Sequence, residues 1–383
     1  MRRTLLGLAA VVLAAGGCTS GQPAHDLLPA TAWQTVPSPP FAPRSGAVTF
    51  WTGKEALFLG GDLTPPCADG GDCAGPSSFA TDGAAYDPGA HTWRPVADAP
   101  EQIAPYSAHA TAGSTLYLWG TKHLLSYDIP TDEWHSHPLP DDPRYAQGPG
   151  GDLVALDASQ LATTPSERTA DEPSGWVFTV ATETWRSLPE DPLGASFDRR
   201  LTAAGTSVVL SGHDTAALNS ANTDPPVLHT ASLDPSSKAW RELPDTSFLG
   251  GGEFSWTGKR LIMPAIGGAD GGQVGNYRRT VPFGGAFDPD TGTSSRIRDT
   301  PNDFAEFSRA VFAPYAFDGA LYATGGYVYD DADGSWRGLT PPQRVPQEPG
   351  DAVWMGRTLL LVGGIDRDTN TRVRGAWALL LPD

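Results

Sequence analysis

Basic residues are few in this 383-residue chain, and lysine is scarce among them. Lys plus Arg number 26 against 44 for Asp plus Glu, a net charge of −18, and no basic block occurs. Nucleic acid is therefore excluded as a partner, because its recognition starts from a positive face. Long apolar runs are missing beyond the N-terminus, which excludes a polytopic membrane domain. The chain carries no P-loop, dinucleotide fingerprint, nucleophile elbow or His-Glu metal helix, so none of those chemistries is indicated. Cysteine is limited to Cys18, Cys67 and Cys73. What is abundant is turn and core material. There are 44 Gly and 36 Pro, and 39 % of residues are hydrophobic, which means many turns around a real core rather than a disordered chain.

Met1-Arg2-Arg3 is followed by 13 small or apolar residues, Leu5 to Gly17, and then Cys18. That run is too short to span a bilayer but fits the core of a signal peptide. Ala15, Gly16 and Gly17 before Cys18 resemble the lipobox of bacterial lipoproteins, with Ala where Leu is usual. The expectation is a signal peptide over 1–17, a lipidated Cys18 and a flexible tether over 18–30. The protein would then be held to the cell membrane on the extracytoplasmic side; the alternative is plain secretion. In that oxidising compartment Cys67 and Cys73, within Pro65-Pro-Cys-Ala-Asp-Gly-Gly-Asp-Cys73, are expected to form a disulfide closing a small loop. No His lies nearby and the spacing fits no zinc pattern, so no metal is expected there.

Two phrases recur along the rest of the chain. The first is an apolar strand after a Gly turn, as in Trp51-Thr-Gly-Lys-Glu-Ala-Leu-Phe-Leu-Gly-Gly61 and Trp354-Met-Gly-Arg-Thr-Leu-Leu-Leu-Val-Gly-Gly364. Further copies start near Ala112, Ala204, Trp256 and Phe317, and a degraded one is Asp157-Ala-Ser-Gln-Leu-Ala-Thr163. The second is an apolar strand, a turn rich in Asp, Pro, Thr or Gly, and then Trp, as in Ala85-Tyr-Asp-Pro-Gly-Ala-His-Thr-Trp93. Its last position falls at Trp33, Trp93, Trp134, Trp185, Trp240, Ser294 and Trp336. Repetition at periods of roughly 40–50 residues signals the blades of a propeller.

These phrases resemble kelch repeats of the galactose oxidase superfamily, in which strand b ends in Gly-Gly, strand c carries Tyr-Asp and strand d carries Trp. The resemblance covers residues 31–383 and implies an all-β, seven-bladed β-propeller, with six blades as the alternative if the degraded third blade merges with a neighbour. The chain ends on Gly375-Ala-Trp-Ala-Leu-Leu-Leu381 with no Trp-bearing strand after it, whereas Thr31-Ala-Trp33-Gln-Thr-Val36 has no strand before it. The N-terminal strand is therefore expected to complete the last blade, closing the ring and leaving no free edge.

Insertions cluster between strands b and c, at 62–78, 165–174, 213–228, 269–284 and 365–374. One face is thus elaborated, and binding sites concentrate on such loops. The kelch pattern places the strand a starts on that face, which collects Arg44, Tyr106, His109, Arg144, Arg199, Arg200, Glu253, Ser308, Arg309 and Asp351 as a candidate mouth. Arg44, Arg144, Arg200 and Arg309 are expected as donors to an anionic or polyhydroxylated ligand; the competing reading is that they pair with carboxylates between blades. Arg278, Arg279, Arg367, Arg372 and Arg374 could form a rim. Asp330-Asp331-Ala-Asp333-Gly334 lacks the Glu that completes a calcium loop, so no metal or cofactor is expected. The function expected is non-catalytic binding of an extracellular glycan, peptide or protein by a monomer. The alternative is a kelch-type carbohydrate enzyme such as a sugar-acid mutarotase; copper radical oxidases do not fit, since no cysteine is placed to join a tyrosine.

Overall fold

The computed structural model describes residues 27–67, 77–145, 151–218, 226–250, 253–264, 281–298, 313–342 and 344–382. These form seven small antiparallel sheets and no α-helix. The strands of each sheet run in chain order from the inside of the molecule outwards. Blade 1 is Val48–Trp51, Ala56–Leu59, Gly83–Asp87 and Thr92–Val96. Blade 2 is His109–Ala112, Thr115–Trp119, Leu124–Asp128 and Glu133–His137. Blade 3 is Asp152–Asp157, Gln160–Thr164, Trp176–Thr179 and Thr184–Ser187. Blade 4 is Ser196–Ala204, Ser207–Asp214, His229–Asp234 and Ala239–Leu243. Blade 5 is Ser255–Trp256, Leu261–Met263, Gly285–Asp288 and Thr293–Ser295. Blade 6 is Ala316–Asp318, Leu321–Thr324, Tyr327–Asp330 and Ser335–Leu339. Blade 7 is Glu348–Met355, Thr358–Asp366, Ala376–Leu380 and, from the far end of the chain, Trp33–Val36.

The protein is therefore a seven-bladed β-propeller. The degraded third repeat is a blade of its own, and Trp33–Val36 pairs antiparallel with the final strand, Trp33 opposite Leu379 and Val36 opposite Ala376. The turns explain the recurring phrases. In six blades a glycine at φ between +53° and +88° closes the hairpin between the two inner strands, a conformation that costs an L-residue but not glycine. Blade 3 has none, and Asp157 substitutes by accepting from the amide and hydroxyl of Ser159 at 2.6 and 2.7 Å. The Asp after the third strand does the same work at the outer turn: Asp87 accepts from Gly89 and Ala90, and Asp234 from Ser236. Asp330, Asp331 and Asp333 are likewise engaged, by Arg357, Arg260 and Arg337 and by turn amides.

Hydrophobic packing lies between blades rather than within them. Seven buried clusters occupy the seven seams, so no blade has a core without its neighbours. The outer Trp completes six of the seven seams. In blades 1, 2, 3 and 6 its ring lies about 5 Å from the aromatic residue of the third strand, as in Tyr86–Trp93 at 5.0 Å and Phe178–Trp185 at 5.0 Å. Its indole N–H then crosses the seam to a carbonyl just beyond the outer strand of the preceding blade. Trp93 donates to Pro37 (2.7 Å), Trp134 to Ala97 (2.8 Å), Trp185 to Pro138 (2.7 Å) and Trp240 to Pro189 (2.9 Å). Trp336 donates to Arg298 (2.7 Å), and Trp33 closes the ring by donating to Thr340 (2.9 Å). Where the repeat has Ser294 instead, the bond reverses and the amide of Ser247 donates to the Ser294 hydroxyl at 3.3 Å.

The segment expected as a tether over 18–30 is docked in its described part. Leu27–Leu28 adds a parallel strand to the outer edge of blade 6, opposite Gly338 and Leu339. Leu28 is buried in the blade 6–7 cluster, so residues 27 and 28 belong to the propeller rather than to a tether. Strand closure carries a direct consequence for stability. A chain beginning at residue 40 exposes the edge of Ala376–Leu380 and opens the cluster that holds Trp33. Thermal unfolding is expected to fall by many degrees relative to a chain beginning at residue 25, from a loss of several kcal/mol; equal midpoints would show that the N-terminal strand does not hold the ring.

Candidate functional site

The inner strands of all seven blades surround a central cavity of about 1080 Å³. Thr49, His109, Asp152, Arg200, Phe254, Tyr315, Asp318 and Asp351 each contribute to its wall. One end is the elaborated face. There the starts of the inner strands meet the loops between second and third strands: Ser45 exchanges backbone bonds with Asp62, and Glu167–Arg168 pairs with Ser196–Phe197.

Tyr106, His109, Arg200, Glu253 and Asp351 line this cavity. Arg44 and Arg144 do not, and both are engaged by their surroundings. Arg44 is 4 % exposed and turned into blade 1. Its Nε donates to Ala42 O and its Nη1 to Gly60 O and Asp82 O, with the Asp82 carboxylate at 2.7 Å and the Phe41 ring beneath. The Gly60-Gly61 pair makes this possible: at φ +64° a Cβ on Gly60 would lie 2.4 Å from Ile103, so only glycine lets the carbonyl turn to the guanidinium. Arg144 is clamped by Asp142, with Nη2 to Oδ2 at 2.6 Å, and also donates to Pro173 O. Burial pushes the Asp142 carboxyl up, but the bonds from Arg144 and Trp176 outweigh it and hold the group at about 2. Arg199 is buried against Asp191 at 2.7 Å. Of the rim arginines, Arg372 bonds Ser45 and Asp62, and Arg367 pairs with Glu348. Arg309, Ser308, Arg278, Arg279, Cys18 and Cys73 lie outside the described residues.

The wall that remains is acidic. Asp152, Glu253, Asp318, Glu348 and Asp351 face the cavity together with Arg200 and His109. Burial lowers the pKa of His109, which favours the neutral imidazole. Two of the carboxylates also pin blades together. Asp351 of blade 7 accepts from the amides of Gly46 and Ala47 at the entry to blade 1, at 2.7 and 3.0 Å. Asp152 of blade 3 accepts from the Leu201 amide of blade 4 at 2.8 Å. The pattern reading found Asp351 but missed Asp152, although the two share a phrase: Gly151-Asp-Leu-Val154 and Gly350-Asp-Ala-Val353. Burial is the main cause that pushes Asp351 up to about 7, against the pull of the two amides. Burial, aided by the Glu253 charge and opposed by Arg200 and the Leu201 amide, pushes Asp152 up to about 6.

Arg200 bridges three blades, its Nη1 lying 3.3 Å from Asp152 and 3.4 Å from Glu253. Tyr106 and Tyr315 flank the opening, 80 % and 48 % exposed. Tyr106 sits at φ +56°, a strained backbone for a bulky residue, held by its amide donating to Gly46 O at 2.8 Å. Tyr315 was not singled out by the pattern because it precedes the repeat phrase of blade 6. No protein-family model matches the chain, and no curated protein is significantly similar to it.

The Asp351 carboxyl makes a signed prediction. A carboxyl raised by folding binds a proton more tightly in the native than in the unfolded chain, so it adds stability at low pH that is lost as pH rises towards about 7. Asp351→Asn removes that titration and keeps an acceptor for one of the two amides, a loss that is the same at every pH. Its thermal midpoint, measured relative to the native chain, is expected to improve steadily from pH 5 to pH 8. A pH-independent difference would show that Asp351 titrates as an ordinary carboxylate.

Proposed function

We propose that the protein is a non-catalytic binding propeller that takes a polyhydroxylated ligand, a glycan, at the mouth of its central cavity. The observation that carries this reading is the cavity of about 1080 Å³ opening beside two exposed tyrosines and the Asp152–Arg200–Glu253 group. Exposed aromatic faces stack on the apolar faces of sugar rings, while carboxylates accept from hydroxyls and a guanidinium donates to them. A peptide or protein partner would gain from an apolar anchor pocket, and this wall is mainly polar at its opening. Non-catalytic binding is favoured over acid–base chemistry because Asp351 and Asp152 are engaged with the amides of neighbouring blades rather than held open for proton transfer.

The same reading places the chain among kelch-type propellers, with Cys67 and Cys73 as a disulfide and Cys18 as a lipidated residue after a cleaved signal peptide. The anchor would hold the propeller at the extracytoplasmic membrane surface, since acyl insertion is hydrophobic and resists salt. Cys18→Ser is expected to release the protein from salt-washed membranes or to leave uncleaved precursor; normal processing with retention would contradict the anchor. For the mouth, Tyr106→Ala and Tyr315→Ala are each expected to weaken a glycan found on an array by about tenfold, roughly 1.4 kcal/mol. The thermal midpoint should stay nearly unchanged in Tyr106→Ala and fall only modestly in Tyr315→Ala, which also loses its contacts with Phe317 and Tyr322. Loss of stability with unaltered binding would remove the tyrosines from the site, and turnover of the bound sugar would replace the non-catalytic reading with an enzymatic one.

A further inference from the structure

Within the mouth, one wall differs from the rest in having its hydrogen-bond donors, acceptors and aromatic surface all within reach of one another. It is built from the inner-strand starts of blades 3 to 6. The Arg200 side chain is 44 % exposed, and among the described residues its hydrogen bonds run only from Nη1, to Asp152 and Glu253. Both are long, at 3.3 and 3.4 Å, so the fork is oriented by the carboxylates and its other nitrogens remain available. Tyr315 stands beside it on a fixed base. Its hydroxyl lies 2.8 Å from that of Tyr322, whose own hydroxyl donates to the Glu253 carbonyl at 3.0 Å. Phe317 and Tyr322 meet the Tyr315 ring edge-to-face, at interplanar angles of 73° and 84°. A ring held at its phenol end and along its sides is a preorganised platform that loses little freedom when a ligand stacks on it.

Resting on the proposed binding of a glycan at this mouth, we infer that the wall of Asp152, Arg200, Glu253 and Tyr315 is the contact subsite and that it selects neutral vicinal diols over sugar acids. Two neighbouring hydroxyls can accept from the open edge of the Arg200 fork while donating to Glu253 or Asp152, and the ring face behind them covers Tyr315. Charge sets the preference. Arg200 is the single arginine of the cavity wall among the described residues and already lies between two carboxylates, so the group carries one net negative charge. Asp351 and Glu348, the latter paired with Arg367, face it across the opening. A carboxylate-bearing sugar would compete for a guanidinium that is already paired and would enter an acidic cavity, whereas a neutral diol keeps the ion pairs and adds to them.

The test uses the intact chain and three matched sets of probes: glucose, galactose and mannose, their uronic acids, and their 2-amino sugars. Binding is read by ligand-observed NMR and by titration at physiological salt. At least one neutral hexose is expected to bind, with its uronic acid at least tenfold weaker. Arg200→Ala and Tyr315→Ala should each lower that affinity about tenfold, and Arg200→Lys should not restore it because an ammonium lacks the planar fork. Since Arg200→Ala also releases two carboxylates, its thermal midpoint is measured alongside, and Glu253→Gln serves as a second variant that keeps the shape of the wall. Uronic acids binding more tightly than the neutral sugars would overturn the selectivity and leave the mouth as a binding site. Neutral binding indifferent to all the wall variants would overturn the subsite. Absence of binding by every probe, neutral, acidic and basic, would count against the glycan reading itself as well as this inference.

Discussion

An indole N–H donated across six of the seven seams to the carbonyl that follows the preceding blade's outer strand is the interaction on which the ring depends. Six tryptophans make it at 2.7–2.9 Å, and Ser294 keeps a reversed version in the seventh seam. Each bond contributes only about 1 kcal/mol net. Its value lies in geometry. Strand twist turns each blade's outer strand well away from the direction of its inner strand, so the strand's end reaches towards the next blade. A clamp at that point sets the angle between blades. Asp351 and Asp152 act similarly at the inner rim of two seams. With the outer edges clamped, and two of the seams pinned at the inner rim as well, the seven apolar seams together define both the circumference and the width of the central cavity.

A cavity dimensioned this way is a stable frame for variable loops. The second-to-third strand loops can lengthen at little entropic expense, and they do so on the face where the inner strands begin. The charged groups of that face fall into two kinds. Arg44, Arg144 and Arg199 are turned inwards and hold loops to the blades. Arg200 projects into the cavity and keeps part of its fork exposed. Arginine abundance near strand starts is therefore mostly a feature of construction, and the surface left for a ligand is acidic and aromatic.

Much of the architecture was legible in the order of short phrases. The seven outer positions, from Trp33 to Trp336 with Ser294 as the exception, all fall in outer strands, because a clamping Trp, a turn Asp and a hairpin Gly are each required by backbone geometry that local sequence records. Ring closure followed from counting strands at the two ends. The orientation of side chains was not legible. Arg44 lies just before the inner strand of blade 1 and Arg200 within that of blade 4; one turns inwards and the other into the cavity, and Arg44 is held by Gly60, Asp82 and Phe41, which meet it only after folding. Leu27–Leu28 escaped notice for a similar reason: two apolar residues carry no periodicity, and their place is set by a partner more than 300 residues away in the chain.

If the clamps make the ring a single cooperative unit, the indole signals of Trp33, Trp93, Trp134, Trp185, Trp240 and Trp336 report it directly. Their native Nε1–H resonances can be followed together through a denaturant titration of the isotopically labelled chain. All six are expected to disappear at one midpoint, with Trp33 no earlier than the others despite its place at the start of the propeller. Loss of the Trp33 and Trp336 signals at lower denaturant, while those of blades 1 to 4 persist, would show an open array of blades instead of a closed ring.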